Sequence, residues 1–319
     1  MVALPVLVLQ AKLVQTRARS RTHSYNCLIT HLAHTKNQER TEMKIPFHDF
    51  GGDGPILHFA HSNGYPPACF RQMIEPLTRY YHVLGVYHRP LWPDTNPEEL
   101  TDWRQIADDL IQFFEQEGLQ NVIGVGHSLG AVATMFAAVK RPELFRALVL
   151  IEPVFLLPTV LEMVKANPAL GESLPLVQSA RRRRTRWQNR QEAFDRFRRK
   201  KVFRRWSDEA LWDYVNNTVA ETADGAVLIY RPEWEVRFYT LPPFGVWEAL
   251  PQVTQPTLAI RGTETDTLFP EAWTLWQECQ PGAMFVEIEE AGHMVPMERP
   301  LQVSETILSW LKKQEKTSE

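Results

Sequence analysis

Gly126-His127-Ser128-Leu129-Gly130 follows the apolar run Asn121–Val125 and opens the alanine-rich stretch Leu129–Lys140. A serine on a tight turn between strand and helix needs glycines two places before and after it, because side chains there would collide with neighbouring backbone. Such a turn lifts the Ser128 hydroxyl out of a sheet. It also aims the amide N–H of Leu129, at a helix start, toward an oxyanion formed on an attacked carbonyl. The chemistry this suits is nucleophilic acyl transfer. Gly124, Gly126 and Gly130 also mimic a dinucleotide-binding loop, with Glu152 ending the next strand. Against this, the spacing departs from G-x-G-x-x-G and the loop lies mid-chain, whereas such fingerprints usually open their domain.

A serine hydroxyl is a weak nucleophile at neutral pH and needs a base, for which histidine has the matching pKa. Of the ten histidines, only His293 lies on the C-terminal side of Ser128, in Ala291-Gly292-His293-Met294-Val295-Pro296 just after the run MFVEIE. His127 is the weaker candidate, since its side chain leaves the turn in another direction. The base in turn needs a carboxylate to fix its tautomer and stabilise the imidazolium. Asp266 is the first choice, in the loop Gly262-Thr263-Glu264-Thr265-Asp266 after the run TLAIR; Glu264 shares that loop and Glu152 ends an earlier strand, so both stay open. A second oxyanion donor is expected from the loop His61-Ser62-Asn63-Gly64-Tyr65-Pro66-Pro67. Counting from the strand favours the amide of Asn63, whereas the Gly-aromatic-Pro turn favours Tyr65, and Asn63 is preferred.

The elements that must position these groups alternate in a way that predicts a parallel sheet wound with helices. Strands are expected at Ile56–Ala60, Val83–Tyr87, Asn121–Val125, Ala147–Ile151, Thr257–Arg261 and Met284–Ile288. Helices are expected at Cys69–Tyr80, around Leu100–Phe114, at Leu129–Lys140, Phe269–Cys279 and Leu301–Leu311. Between Pro153 and about Leu250 the alternation stops and the pattern is helical and irregular, which predicts an inserted cap.

With HSNGYP, GHSLG, KRPELFRALVLIEP, PTLAIRGTETD and AGHMVPMERP in place, the chain resembles the α/β-hydrolase superfamily over roughly Lys44 to Leu311. The resemblance implies a mostly parallel central sheet with helices on both faces and a helical cap over its carboxyl edge. It implies no cofactor or metal, the chain order nucleophile, acid, histidine, and a Ser128, Asp266, His293 triad. Serine at the elbow argues against the branches that use aspartate there. YHRPLWP stands where many relatives carry Asp-x-Arg-Gly-His-Gly, so the pocket wall at that point does not follow from them.

The expected organisation is a core at 43–153 and 251–319, a cap at 154–250, and a separate segment at 1–42. That last segment has no acidic residue up to Gln38, a balance shared by organellar transit peptides; an upstream extension before Met43 is the plainer account. No run approaches the roughly 18 apolar residues of a membrane span. Cys27, Cys69 and Cys279 are odd in number and far apart, which suggests neither a disulfide framework nor a zinc site and suits a reducing cytosol. Within the cap, residues 181–205 hold 13 basic and two acidic side chains, a local +11 in a chain of net charge -3. Trp187, Phe194, Phe197, Phe203 and Trp206 lie among them, which favours arginines that face water or pair with acids of the core. An anionic acyl substrate comes next, and no nucleic acid is expected. The expected function is hydrolysis of an ester or related acyl bond of a small to medium substrate. Its rivals are a slow ligand receptor on the same fold, a C–C bond hydrolase and a cofactor-free perhydrolase.

Overall fold

The computed structural model describes residues 43–317, so the expectation for residues 1–42 lies outside the described residues. Short β-branched and apolar runs pair here because burial on both faces rewards near-continuous hydrophobic strands. The strands are β1 (Phe47–Gly51), β2 (Ile56–Ala60), β3 (His82–Val86), β4 (Val122–His127) and β5 (Phe145–Ile151). They continue with β6 (Arg186–Trp187), β7 (Val219–Thr222), β8 (Gly225–Leu228), β9 (Thr257–Gly262) and β10 (Met284–Ile288). Seven form one sheet in the order β1-β3-β2-β4-β5-β9-β10. Every pair in it is parallel except β1 with β3. After β3 the chain returns to the other side of β2, so the loops after β2 and β4 meet at the switch point where such sheets bind ligands.

Alternation along the strands feeds two cores. Leu148 and Leu150 of β5 join one apolar cluster with the helices Arg104–Gln116, Leu129–Lys140 and Pro270–Cys279. Val149 and Ile151 join the other, with Cys69, Phe70 and Met73 on one side and Val303, Ile307 and Trp310 of the helix Pro300–Thr317. The expected helix over Cys69–Tyr80 is instead three short turns, Pro67–Phe70, Arg71–Ile74 and Leu77–Arg79. Pro76 lacks the N–H an unbroken helix would use, and the chain breaks there. YHRPLWP is shaped by Arg89, whose guanidinium holds Asp109 of the helix Arg104–Gln116 at 2.6 and 2.8 Å.

The stretch between β5 and β9 carries the helices Pro158–Ala166, Pro175–Arg181, Arg190–Arg198, Asp208–Thr218 and Pro232–Thr240, with shorter turns. It also carries a small antiparallel sheet, β6-β8-β7, which the helical pattern did not predict. Trp187, Phe194, Phe197, Phe203, Trp206 and Tyr214 are buried together in its interior. Six of the 13 basic residues in 181–205 make ion pairs, Arg181, Arg183, Arg184, Arg190, Arg198 and Arg205. Arg183–Glu235 is buried, but the more exposed pairs contribute roughly 0–1 kcal/mol each, whereas an aromatic that buries some 150–250 Å² contributes several-fold more. The aromatics therefore hold the insertion down. Among the described residues no helix is long and apolar enough to cross a membrane, and no cluster of side chains could hold a metal ion.

His58 sits at the centre of β2 with both ring nitrogens unpartnered, its ring edge-on to Phe114 at 5.0 Å. Burial pushes its pKa down to about 3, and that of His61 to about 4. Unfolded chains take up these protons near pH 6.5 while the folded chain refuses them, so this stability is present above that pH and lost as pH falls toward the folded values. Each unit of pH in that window costs up to about 1.4 kcal/mol per histidine. The melting temperature should fall steadily from pH 6.5 to pH 4, and His58→Leu should flatten that fall in thermal denaturation across the range.

Candidate active site

β4 ends at His127, and Ser128 turns the chain into the helix Leu129–Lys140 with φ +56° and ψ -117°. A non-glycine residue at positive φ costs roughly 1–2 kcal/mol and persists only where its surroundings enforce it. Both flanking glycines are forced. A Cβ on Gly126 would lie 2.5 Å from the Gly130 carbonyl oxygen, and one on Gly130 would overlap the carbonyl oxygen of Ala60 at the end of β2. The elbow is therefore pressed against the neighbouring strand, with the loop after β2 alongside.

His293 Nε2 stands 3.0 Å from Ser128 Oγ, and His293 Nδ1 stands 3.1 Å from Glu152 Oε2. With Nδ1–H donating to the carboxylate, Nε2 is left to accept from the serine hydroxyl. The other nearby histidine serves the first: His127 is buried, and its Nε2–H donates to the His293 carbonyl at 2.9 Å. Burial drives the His127 pKa well below 6.5, which keeps its ring neutral.

Asp266 does not meet His293. It is exposed, and its carboxylate accepts at 3.5 Å from its neighbour Thr267. Glu264 is also elsewhere, paired with Arg205 of the insertion. The carboxylate at the histidine is Glu152, fully buried at the end of β5. It accepts from the Gly262 amide and the Thr265 hydroxyl, both at 2.7 Å. The loop after β9 thus supplies a hydroxyl that steadies the carboxylate facing His293, and that carboxylate comes from the adjacent strand. The signal in the sequence was a glutamate closing the uninterrupted apolar run ALVLI, where an unpaired charge would be too costly to bury.

In the loop after β2, the Tyr65 amide donates to Ser62 O at 3.2 Å, which closes a turn and spends that donor. The Asn63 amide has no acceptor among the described residues. His61 frames the turn: its Nδ1–H donates to Ser62 O at 2.8 Å, and its Nε2 accepts from the His88 amide at 3.0 Å. Accepting there requires a neutral ring, consistent with its lowered pKa. The Leu129 amide is the first of its helix and so has no intrahelical acceptor.

Residues 59–306 match the model of the alpha/beta hydrolase family. The chain belongs to that family. Among the relatives of this α/β-hydrolase is the abhydrolase domain-containing protein ACTT2-1 of Alternaria alternata. It is 27% identical over 233 residues, covering 61% of this chain and 85% of that one. Strigolactone esterase D14 of Arabidopsis thaliana is 32% identical, but over 101 residues that cover 30% of this chain and 38% of the esterase. The crystal structure of E-2-(acetamidomethylene)succinate hydrolase shares the fold with TM-score 0.73 at 19% identity, over 84% of this chain and 95% of that one.

The placement of Glu152 gives a direct test. Glu152→Gln should lower hydrolytic kcat by roughly 10⁴-fold, the scale seen when the acid behind such a histidine is neutralised. Asp266→Asn should stay within a few-fold of wild type in the same assay.

Proposed function

We propose that this α/β-hydrolase is a serine hydrolase that cleaves an ester or related acyl bond of a small to medium substrate. The observation that carries this is the unbroken chain Ser128 Oγ, His293, Glu152, with contacts of 3.0 and 3.1 Å. Ser128 Oγ attacks the carbonyl carbon as His293 Nε2 takes its proton, and the carbonyl electron pair moves onto oxygen. The amides of Leu129 and Asn63 hold that oxyanion, and Glu152 stabilises the imidazolium. Collapse of the tetrahedral adduct expels the alcohol, which leaves with the proton from His293. Water then repeats the sequence on the acyl-enzyme, releasing the acid and restoring Ser128.

No step calls for a cofactor. The elbow alone does not single out an ester from a thioester or lactone, so the bond class is tested by the substrate panel. A fluorophosphonate probe should label the wild-type protein at Ser128, identified by mass spectrometry of the modified peptide, and Ser128→Ala should remain unlabelled. Full labelling of that variant would refute the assignment. Labelling of the wild type with no turnover across ester, thioester and lactone panels would instead mark a slow ligand-binding protein.

A further inference from the structure

The hydrogen bonds around Asn63 fix which way its side chain faces. The Tyr230 hydroxyl, from the insertion, donates to Asn63 Oδ1 at 2.7 Å. The hydroxyl proton is given to the amide oxygen of Asn63. Asn63 Nδ2 is thereby turned away from Tyr230, and it is buried with no acceptor. Ser62 Oγ beside it is likewise buried and unpartnered.

The clamp is built rather than incidental. Tyr230 is 1% exposed. Glu235 presses on the same loop, its Oε1 lying 2.8 Å from where a Cβ of Gly64 would stand, and Gly64 has φ +82°. Arg183 pairs with Glu235 and reaches the Tyr214 hydroxyl at 2.5 Å, while its own Nε is buried without an acceptor. Buried donors are normally satisfied, and donors left over in a loop that abuts the serine elbow at Gly130 are what a ligand's acceptor would complete.

We propose that Asn63 Nδ2, oriented by Tyr230, is a substrate-recognition donor, and that the preferred acyl group carries a second acceptor oxygen, a keto carbonyl or a carboxylate. That oxygen accepts from Asn63 Nδ2 while the scissile carbonyl sits at Ser128 between the amides of Leu129 and Asn63. The assignment rests on the serine-hydrolase function above and adds the substrate class to it. Asn63 therefore works twice, through its main chain on the oxyanion and through its side chain on the acyl group.

The test compares kcat/KM for methyl pentanoate, methyl 3-oxopentanoate, methyl 4-oxopentanoate and monomethyl succinate, read by titration of released acid and normalised to alkaline hydrolysis of each ester. Wild type should prefer at least one oxygen-bearing ester over pentanoate by about tenfold, the scale of one oriented hydrogen bond. Whether an oxo ester or the succinate wins separates a neutral carbonyl from a carboxylate. Asn63→Ala and Tyr230→Phe should each collapse that ratio toward one, whatever their residual rates. Tyr230→Phe removes only the hydroxyl and keeps the ring, so it keeps the test open if Asn63→Ala fails to fold. An unchanged ratio in these variants overturns the proposal, as does a wild type that is labelled by fluorophosphonate and hydrolyses pentanoate without preference. A wild type that is neither labelled nor active on any ester overturns the serine-hydrolase function itself.

Discussion

A carboxylate with no exposure to water has to be answered by donors, and at Glu152 three of them come from separate places in the chain. The Gly262 amide ends β9, the Thr265 hydroxyl belongs to the loop beyond it, and His293 arrives after β10. Each is held where it is because β5 lies between β4 and β9 in the sheet. Burying that charge without these partners would cost several kcal/mol. The sheet order, the loop after β9 and the approach of the histidine are thus bound to one another through a single side chain. Glu152 itself adopts φ +48°, so the backbone is strained at both ends of the relay, here and at Ser128.

The insertion is joined to this core by two kinds of force with different reach. Its aromatic interior gives it a shape of its own, continuous with one face of the sheet. Its polar contacts reach several parts of the core, with Arg71 held by Glu209 and Asp213, Arg237 on the Leu100 carbonyl and Tyr230 on Asn63. Arg205 joins Glu264 and Glu298, and Glu298 also accepts the Gly292 amide, next to His293 in the chain, at 2.8 Å. Much of the +11 segment is thereby spent inside the protein. Seven of its basic residues remain outside the ion pairs, and they account for the segment's appearance as a charge block.

Much of the architecture was legible beforehand because it rests on periodicity, and periodicity is local. The strand at Met284–Ile288 and the helix at Leu129–Lys140 fall where their patterns place them. Short turns were harder: Pro76 was weighed too lightly inside an apolar pattern, and the two-residue strand β6 has no pattern to read. That Ser128 and His293 would meet was accessible from glycine spacing and chain order. Which carboxylate meets His293 was not, because Glu152, Glu264 and Asp266 all satisfy that order. What separates them is which strand lies beside which and how deep each carboxylate sits, and neither quantity is written in local sequence. Tyr230 lay further out of reach still, since nothing near it in the chain hints that its hydroxyl ends at a loop 167 residues away.

Gly64 lies under Glu235 so closely that the loop after β2 and the insertion share one surface. Neither half can be redesigned or exchanged alone. An insertion taken from a relative would bring its own residue to that spot and leave the loop without the support that shapes it. Any larger residue at position 64 would be strained at φ +82° and would displace the Glu235 carboxylate that Arg183 holds. The natural module for recombination in this protein is therefore discontinuous, a few residues after β2 together with some hundred residues beyond β5, and drift in one is constrained by the other across that whole separation.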